Sequence, residues 1–219
     1  MRLTEAHFPA QTDDPVWETT VGGLLQKIAA KYPSQEALVE VKLNGELGRR
    51  WSYSALLAES ETLALALSTR FKPGEHIVVW SPNSPEWVLM EYACALAGLI
   101  LVTANPAFQA KELRYVLEQS GAVALFLVDE FRGNPMADIG HEAIKDLGDI
   151  REIIDLNNRD VLFRRTNEHP HLPDVSPGDA AQIQYTSGTT GFPKGAVLSH
   201  RGLVNNARFY AARCGVNQE

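Results

Sequence analysis

The sequence predicts an α/β protein whose doubly wound, largely parallel sheet is flanked by helices. Three short runs, 76–80, 99–102 and 123–128, are almost continuously apolar, which is typical of parallel strands buried on both faces. Segments with the apolar spacing of helices lie between these runs, as a doubly wound sheet requires. Of the 219 residues, 45% are hydrophobic and 21% are charged. This composition supplies enough apolar surface for a compact body.

The amino-terminal part of the chain predicts a helix, a hairpin and a second helix. Apolar residues recur at helical spacing over 21–32, and Pro33 ends that helix. Asn44-Gly45 lies between two short strands, and this dipeptide favours the tight turn of a hairpin. Either Ser52 or Ser54 can cap the helix that follows. The two strands of the hairpin are predicted at 37–41 and 49–53.

From residue 76 onward the predicted strands and helices alternate. The strand at 76–80 leads into a helix with Ser84 as its cap and Pro85 at its first position. Gly98 ends that helix. Residues 157–178 are rich in proline, asparagine, aspartate and arginine without periodicity, which indicates a long surface connection. The remaining strands are predicted at 99–102, 123–128, 151–155, 182–185 and 196–198, and the remaining helices at 109–119, 134–149 and 200–214.

Charge and cysteine content argue against several classes of function. The net charge is −7, whereas nucleic acids and anionic membranes are bound by basic faces. Residues 185–219 nevertheless carry four cations and one anion, which suggests an anionic ligand near this end. The two cysteines form no metal-binding or disulfide pattern. No signal-peptide core and no apolar run of ~20 residues is present. We therefore expect a cytoplasmic protein without a membrane span or a metal site.

Chemistry is concentrated in residues 185–200, YTSGTTGFPKGAVLSH. The hydroxyls before residue 191 can donate hydrogen bonds to phosphate oxygens. The glycines let backbone N–H groups approach an anion, and the lysine adds a mobile positive charge. We interpret the segment as a phosphate-binding loop. Its candidate residues are Thr186, Ser187, Gly188, Thr189, Thr190, Gly191, Lys194 and Gly195.

Two other interpretations compete with a phosphate loop. A flexible Gly/Ser/Thr hairpin fits the composition, but it does not explain a single lysine between Pro193 and Gly195 or the local positive charge. A P-loop NTPase requires Gly, four residues, and then Gly-Lys-Ser/Thr. Counting from Gly188 places Pro193 at the second glycine and Gly195 at the hydroxyl position. The helix is also predicted to begin only after a further strand.

Residues 185–200 resemble the phosphate-binding signature of the acyl-adenylate-forming superfamily, which includes AMP-binding acyl-CoA synthetases (fatty-acid–CoA ligases), related ligases and luciferases. Residues 51–56 and 78–106 resemble further segments of that family, so the resemblance covers nearly the whole chain from about residue 21. It implies activation of a carboxylic, mainly fatty, acid by ATP and Mg²⁺ to acyl-AMP. Coenzyme A, the co-substrate, then takes the acyl group. The residues 186–190 and Lys194 would hold the β- and γ-phosphates.

The resemblance also implies a domain organisation. Family members are more than twice this length, and their motifs for adenine, ribose, Mg²⁺ and the catalytic lysine have no counterpart here. Residues 1–219 are therefore expected to be the N-terminal part of the AMP-binding large domain, with the phosphate loop at 186–195 and no C-terminal domain. The chain alone is expected to be inactive. The alternatives are an aryl-CoA or carrier-protein acylating ligase, and a non-catalytic binding module that keeps the phosphate loop.

The expected partners are small-molecule substrates, with no nucleic acid. Self-association is also expected, because an incomplete sheet leaves an open edge. Among single residues, Cys94 and Trp17 are assigned to packing. His200, which ends the signature, belongs either at a ligand or at the start of the next helix. Arg201 and Arg208 lie one heptad apart, which indicates a solvated face or an interface.

Overall fold

A computed structural model describes residues 14–42, 44–166, 171–186 and 193–216 of the chain. Its helices are α1 (Val21–Lys31), α2 (Tyr53–Ser68), α3 (Pro85–Leu96), α4 (Ala110–Ser120), α5 (Met136–Ile144), α6 (Arg159–Leu162) and α7 (His200–Arg213). Its strands are β1 (Glu36–Val41), β2 (Leu47–Ser52), β3 (His76–Trp80), β4 (Ile100–Thr103), β5 (Ala124–Leu127), β6 (Glu152–Asp155), β7 (Ala180–Thr186) and β8 (Lys194–Ser199). None of the helices in these ranges is long and apolar enough to span a bilayer.

Six strands form one sheet in the order β6-β5-β3-β4-β7-β8. The first five are parallel to their neighbours, and β8 is antiparallel to β7. At the centre, Val78 of β3 pairs with Val102 of β4 on one side and Leu125 of β5 on the other. β1 and β2 form a separate antiparallel hairpin. The predicted fold class, a largely parallel sheet within an α/β protein, is confirmed.

Helices cover both faces of the sheet. α1, α2 and α3 pack against one another and α7 packs on α1, while α4 and α5 form a second group. The crossover through α3 and the crossover through α4 run in opposite directions along the sheet. Because such crossovers are right-handed, α3 and α4 lie on opposite faces. All side chains of 77–80 are consequently fully buried, as the apolar run predicts.

The bounds of most predicted elements agree with the structure to within two residues. The helix predicted over 134–149 is shorter and ends at Ile144. Its end has a backbone cause, because Lys145 leaves the helical conformation with ψ of 125° and Asp146 takes a left-handed conformation with φ of +65°. No proline or glycine marks this position, so the sequence pattern overestimates the length of α5.

The prediction of a long surface connection without periodicity over 157–178 is wrong in its first part. α6 lies there, and the Asn158 side chain caps it by accepting the N–H of Val161 at 3.2 Å. Leu162 is fully buried in the core. The backbone N–H of Thr166 then donates to the Thr69 hydroxyl at 3.1 Å. An apolar side chain and local hydrogen bonds therefore fix the start of this connection on α2 and the sheet.

The segment before α1 lies against α7. Asn205 accepts the N–H of Trp17 at 2.8 Å and donates to its carbonyl oxygen at 3.0 Å. Arg208 pairs with Asp14 at 2.9 Å and stacks on the Trp17 ring, and its side chain is only 16% exposed. Of the two alternatives predicted for Arg201 and Arg208, a solvated face and an interface, the solvated face is wrong for Arg208. Arg201, which pairs with Glu18, is half-exposed.

Candidate functional site

The predicted phosphate loop connects two adjacent antiparallel strands. Thr186 at the end of β7 pairs with Lys194 at the start of β8, so the connection is a hairpin. Residues 187–192 lie outside the described part of the chain. The proposed roles of Ser187, Gly188, Thr189, Thr190 and Gly191 therefore stay predictions. The competing hairpin interpretation describes this connectivity correctly, and connectivity alone does not distinguish a linker from a binding loop.

The hairpin lies at a position in the sheet where ligands commonly bind. The connection after β4 runs through α4 to β5, towards the β6 side of the sheet, whereas the connection after the adjacent β7 runs to β8, at the other side of the sheet. The connections therefore diverge at the carboxyl edge between β4 and β7. In open α/β sheets, crevices for ligands form at such topological switch points. Fold topology and the sequence motif thus indicate the same place.

Thr186 and Lys194 present polar groups at the base of the loop. Both residues are exposed. Lys194 makes no ion pair with any residue in the described ranges, so its ammonium is available to an anion. The helix that follows, α7, begins at His200 after the whole of β8. This arrangement differs from a P-loop, in which the helix follows the lysine directly, and it confirms the exclusion made from the sequence.

Two contacts join the base of the hairpin to α4. The Tyr115 hydroxyl donates a hydrogen bond to the carbonyl oxygen of Pro193 at 3.1 Å. One turn further along α4, Gln119 accepts a hydrogen bond from the Tyr185 hydroxyl. Burial raises the pKa of Tyr185, so its phenol stays protonated and can donate. Sequence reasoning missed Tyr115 and Gln119, because no local pattern pairs a helix with a segment 78 residues away.

Gly195 fits beneath the ring of Tyr185, its partner in the β7–β8 ladder. A Cβ atom at this position would lie 3.2 Å from Tyr185 Cζ and 3.0 Å from Ile183 Cγ2. Both distances are shorter than ordinary van der Waals contact. Gly195 was predicted as a site where the backbone approaches an anion. The structure adds that it is a packing position between the arms of the hairpin.

His200, at the end of the signature, belongs to the interior. Its side chain is fully buried, and its Nδ1 accepts the backbone N–H of Val21 at 3.4 Å. The Nε2 atom has no partner among the described residues. Burial lowers the pKa of His200, which keeps the ring neutral. Of the two positions predicted for His200, the structure shows the one at the start of a helix.

A second concave region lies on the other face of the sheet. It is a cavity of about 420 Å³ between α1, α3 and α7, with a mainly apolar lining that includes Leu24, Ile28 and Val204. Glu91 and Tyr92 are among the polar residues that line it, and burial raises the pKa of both. Because α4 lies on the opposite face, this cavity is separate from the contacts that hold the hairpin. The described residues contain no cluster of three side chains suited to a metal ion.

Comparison with known proteins extends these observations. A family model described as AMP-binding enzyme matches residues 25–218. A mitochondrial medium-chain acyl-CoA ligase of Danio rerio is 31% identical over 98% of this chain and 39% of its own length. The chain thus spans about two fifths of that relative.

Solved structures show the same fold. MbtA of Mycobacterium smegmatis superimposes with a TM-score of 0.78 at 23% identity, over 92% of this chain and 37% of that one. A fatty acyl CoA synthetase of Mycobacterium tuberculosis gives a TM-score of 0.68 at 24% identity, over 83% of this chain and 34% of that one. At these identities the likeness establishes the fold alone.

Proposed function

The chain belongs to the family of AMP-binding enzymes, and from this premise we propose that it forms the triphosphate-binding part of an acyl-CoA ligase. The reaction would begin when a carboxylate oxygen of a fatty acid attacks the α-phosphorus of ATP. The bond from that phosphorus to the bridging oxygen breaks, and pyrophosphate leaves with its Mg²⁺. The sulfur of coenzyme A then displaces AMP and gives acyl-CoA. The 31% identity to a medium-chain acyl-CoA ligase supports this substrate class.

One observation carries the proposal: the motif lies on a hairpin at a topological switch point, and the lysine at its base makes no ion pair with the part of the chain that the structure describes. Thr186 and Lys194 face each other across the last rung of the ladder. A hydroxyl and an ammonium group therefore flank the two ends of the loop. A polyphosphate carries several negative charges, so it is stabilised best by many oriented donors and a cation.

The described residues fit a triphosphate. Thr186 supplies a donor, Lys194 supplies a charge, and both are exposed. Gly195 has no side chain. We propose that the loop residues Ser187, Gly188, Thr189, Thr190 and Gly191 complete the set. Mg²⁺ would arrive with ATP, because this ion is commonly held by substrate phosphates and water together with few protein ligands.

Two further statements belong to the same proposal. Residues 1–219 would form the N-terminal part of the large AMP-binding domain, which is supported by the match over 25–218 and by the two-fifths coverage of a relative. A cytoplasmic location is supported by the composition alone. The acyl pocket and the adenine site are not assigned to residues of this chain.

Calorimetric binding of Mg-ATP and of inorganic tripolyphosphate to the 219-residue chain tests the proposal. Lys194→Ala removes one charge-assisted contact, so its Kd should rise about 10- to 150-fold. Lys72→Ala is the matched control, because Lys72 is also exposed but precedes β3, at the opposite edge of the sheet. Equal affinities for the wild type and Lys194→Ala would contradict the assigned role.

A turnover assay separates binding from catalysis. Pyrophosphate exchange with Mg-ATP and a series of fatty acids should stay at the no-enzyme background, because the family motifs for adenine and for the catalytic lysine have no counterpart in these residues. Exchange well above background would show that the 219 residues contain a complete adenylation site. It would then refute the assignment of this chain to the triphosphate-binding part alone.

A further inference from the structure

We propose that Tyr115 of α4 is a positioning residue for Lys194, acting through the Pro193 carbonyl group. This inference rests on the proposed triphosphate site and adds a residue outside the signature to it. The hydroxyl of Tyr115 donates to the Pro193 oxygen at 3.1 Å. Pro193 directly precedes Lys194, so the hydrogen bond fixes the peptide group that carries the lysine.

The hairpin needs such a contact because β8 is at the edge of the sheet. β8 pairs only with β7 within the described sheet, and its residues Ala196 and Val197 are exposed. Pro193 has no N–H and precedes the first pair of the ladder. Its carbonyl oxygen is therefore the one backbone group through which a hydrogen bond can fix it, and Tyr115 supplies that bond.

α4 is a suitable support because it is fixed in the core. Leu113 and Val116 are fully buried, and the Arg114 guanidinium donates to the Lys145 carbonyl oxygen at 2.6 Å. A hydrogen bond from a well-packed helix positions the start of β8 more precisely than a bond from another loop.

A second contact from the same helix makes the arrangement specific. Tyr115 and Gln119 are four residues apart and so lie on one face of α4. Gln119 holds Tyr185 in β7, while Tyr115 holds the residue before β8. The helix thus contacts both arms of the hairpin, one turn apart. The ladder pairs Thr186 with Lys194, and the two contacts from α4 attach both arms of the hairpin to one well-packed helix.

Tyr115→Phe removes only the hydroxyl and tests the inference. One neutral hydrogen bond corresponds to a factor of about 2 to 12 in an equilibrium constant, so the Kd for inorganic tripolyphosphate should rise by that factor. Tyr210→Phe is the matched control, because Tyr210 is 70% exposed on α7. In a Lys194→Ala background the same Tyr115→Phe change should have less than about a 2-fold effect, because coupled residues are not additive. Equal losses in both backgrounds would show a general structural role and overturn the inference.

Hydrogen exchange of the ligand-free chain provides an independent measurement. In Tyr115→Phe, the amides of β8 from Lys194 to Ser199 should exchange about 2- to 12-fold faster than in the wild type, and Tyr210→Phe should leave them unchanged. Unchanged exchange in Tyr115→Phe overturns the inference even if affinity falls. If the wild-type chain binds no tripolyphosphate, the proposed function fails, and faster exchange then supports only the contact between α4 and the hairpin.

Discussion

Replacement of Gly195 by alanine should affect both stability and anion binding. The added Cβ would lie 3.0 Å from Ile183 Cγ2, 3.2 Å from Tyr185 Cζ and 3.4 Å from the Tyr185 hydroxyl oxygen. The Tyr185 ring must therefore move by a few tenths of an ångström, and its hydroxyl loses its alignment with Gln119. Overpacking of this kind costs about 1–3 kcal/mol. For a chain of this length that cost lowers the melting temperature by about 2–12 °C.

The control for this prediction is Gly178→Ala. A Cβ at Gly178 meets no atom within 4 Å, and its backbone is not left-handed. This variant should melt at or slightly above the wild-type temperature, because alanine restricts the unfolded chain. Thermal denaturation followed by circular dichroism measures both variants. Calorimetry with tripolyphosphate should show weaker binding only for Gly195→Ala.

A third variant identifies the atoms that clash. In a Tyr185→Ala background the ring is absent, so the cost of Gly195→Ala should shrink. It should not vanish, because the methyl group of Ile183 remains at 3.0 Å. The reasoning is refuted if Gly195→Ala behaves like Gly178→Ala, or if its cost is unchanged without the ring.

Three other features give measurable expectations. Arg49→Ala should destabilise the chain in urea by about 1–3 kcal/mol more than Glu86→Gln does. Without Arg49, the Glu86 carboxylate, which is 5% exposed, keeps Arg159 as its one ion-pair partner among the described residues. Without the Glu86 charge, both guanidinium groups remain 42% exposed to solvent. The reverse order of stabilities would contradict this prediction. Burial lowers the pKa of His200 in the folded chain below its ordinary 6.5. As the pH falls through about 6.5, this histidine therefore becomes protonated in the unfolded chain while it stays neutral in the folded chain. The free energy of unfolding should then decrease by up to about 1.4 kcal/mol per pH unit. Urea titrations from pH 5 to 8 should show this slope for the wild type and a flatter one for His200→Gln. Light scattering after size-exclusion chromatography should show that the average molar mass of the wild type rises with protein concentration. This rise should be smaller for Val197→Lys, which places a charge on the exposed edge strand β8. A strictly monomeric wild type would refute self-association.

Local signals in the sequence predicted the elements well where one physical cause dominates. The run 76–80 became β3 without a shift, because burial on both faces requires continuous apolar side chains. Ser52 and Ser84 each accept a backbone N–H at the start of a helix, as the capping pattern predicts. The turn at Asn44-Gly45 also joins two paired strands.

Contacts between distant segments could not be predicted in the same way. Arg208 reaches Asp14 and Trp17, which lie almost 200 positions earlier, and its charge alone suggested a solvated face. Tyr115 likewise has no neighbour in sequence that indicates a contact with the hairpin. The pairing of such residues depends on how the helices are arranged over the sheet. The periodicity of a single sequence indicates only which face of each helix is buried.

Within the proposed site, the exposure of a residue indicates whether it binds the ligand or stabilises the fold. Lys194 is exposed and makes no ion pair in the described ranges, so its charge adds little to folding and remains available for a ligand. Gly195, one position later in β8, packs against Ile183 and Tyr185 of β7, where an added methyl group would disturb packing. A change at Lys194 should therefore reduce affinity at constant stability. A change at Gly195 should reduce both, because the position of Lys194 depends on the packing beneath Tyr185.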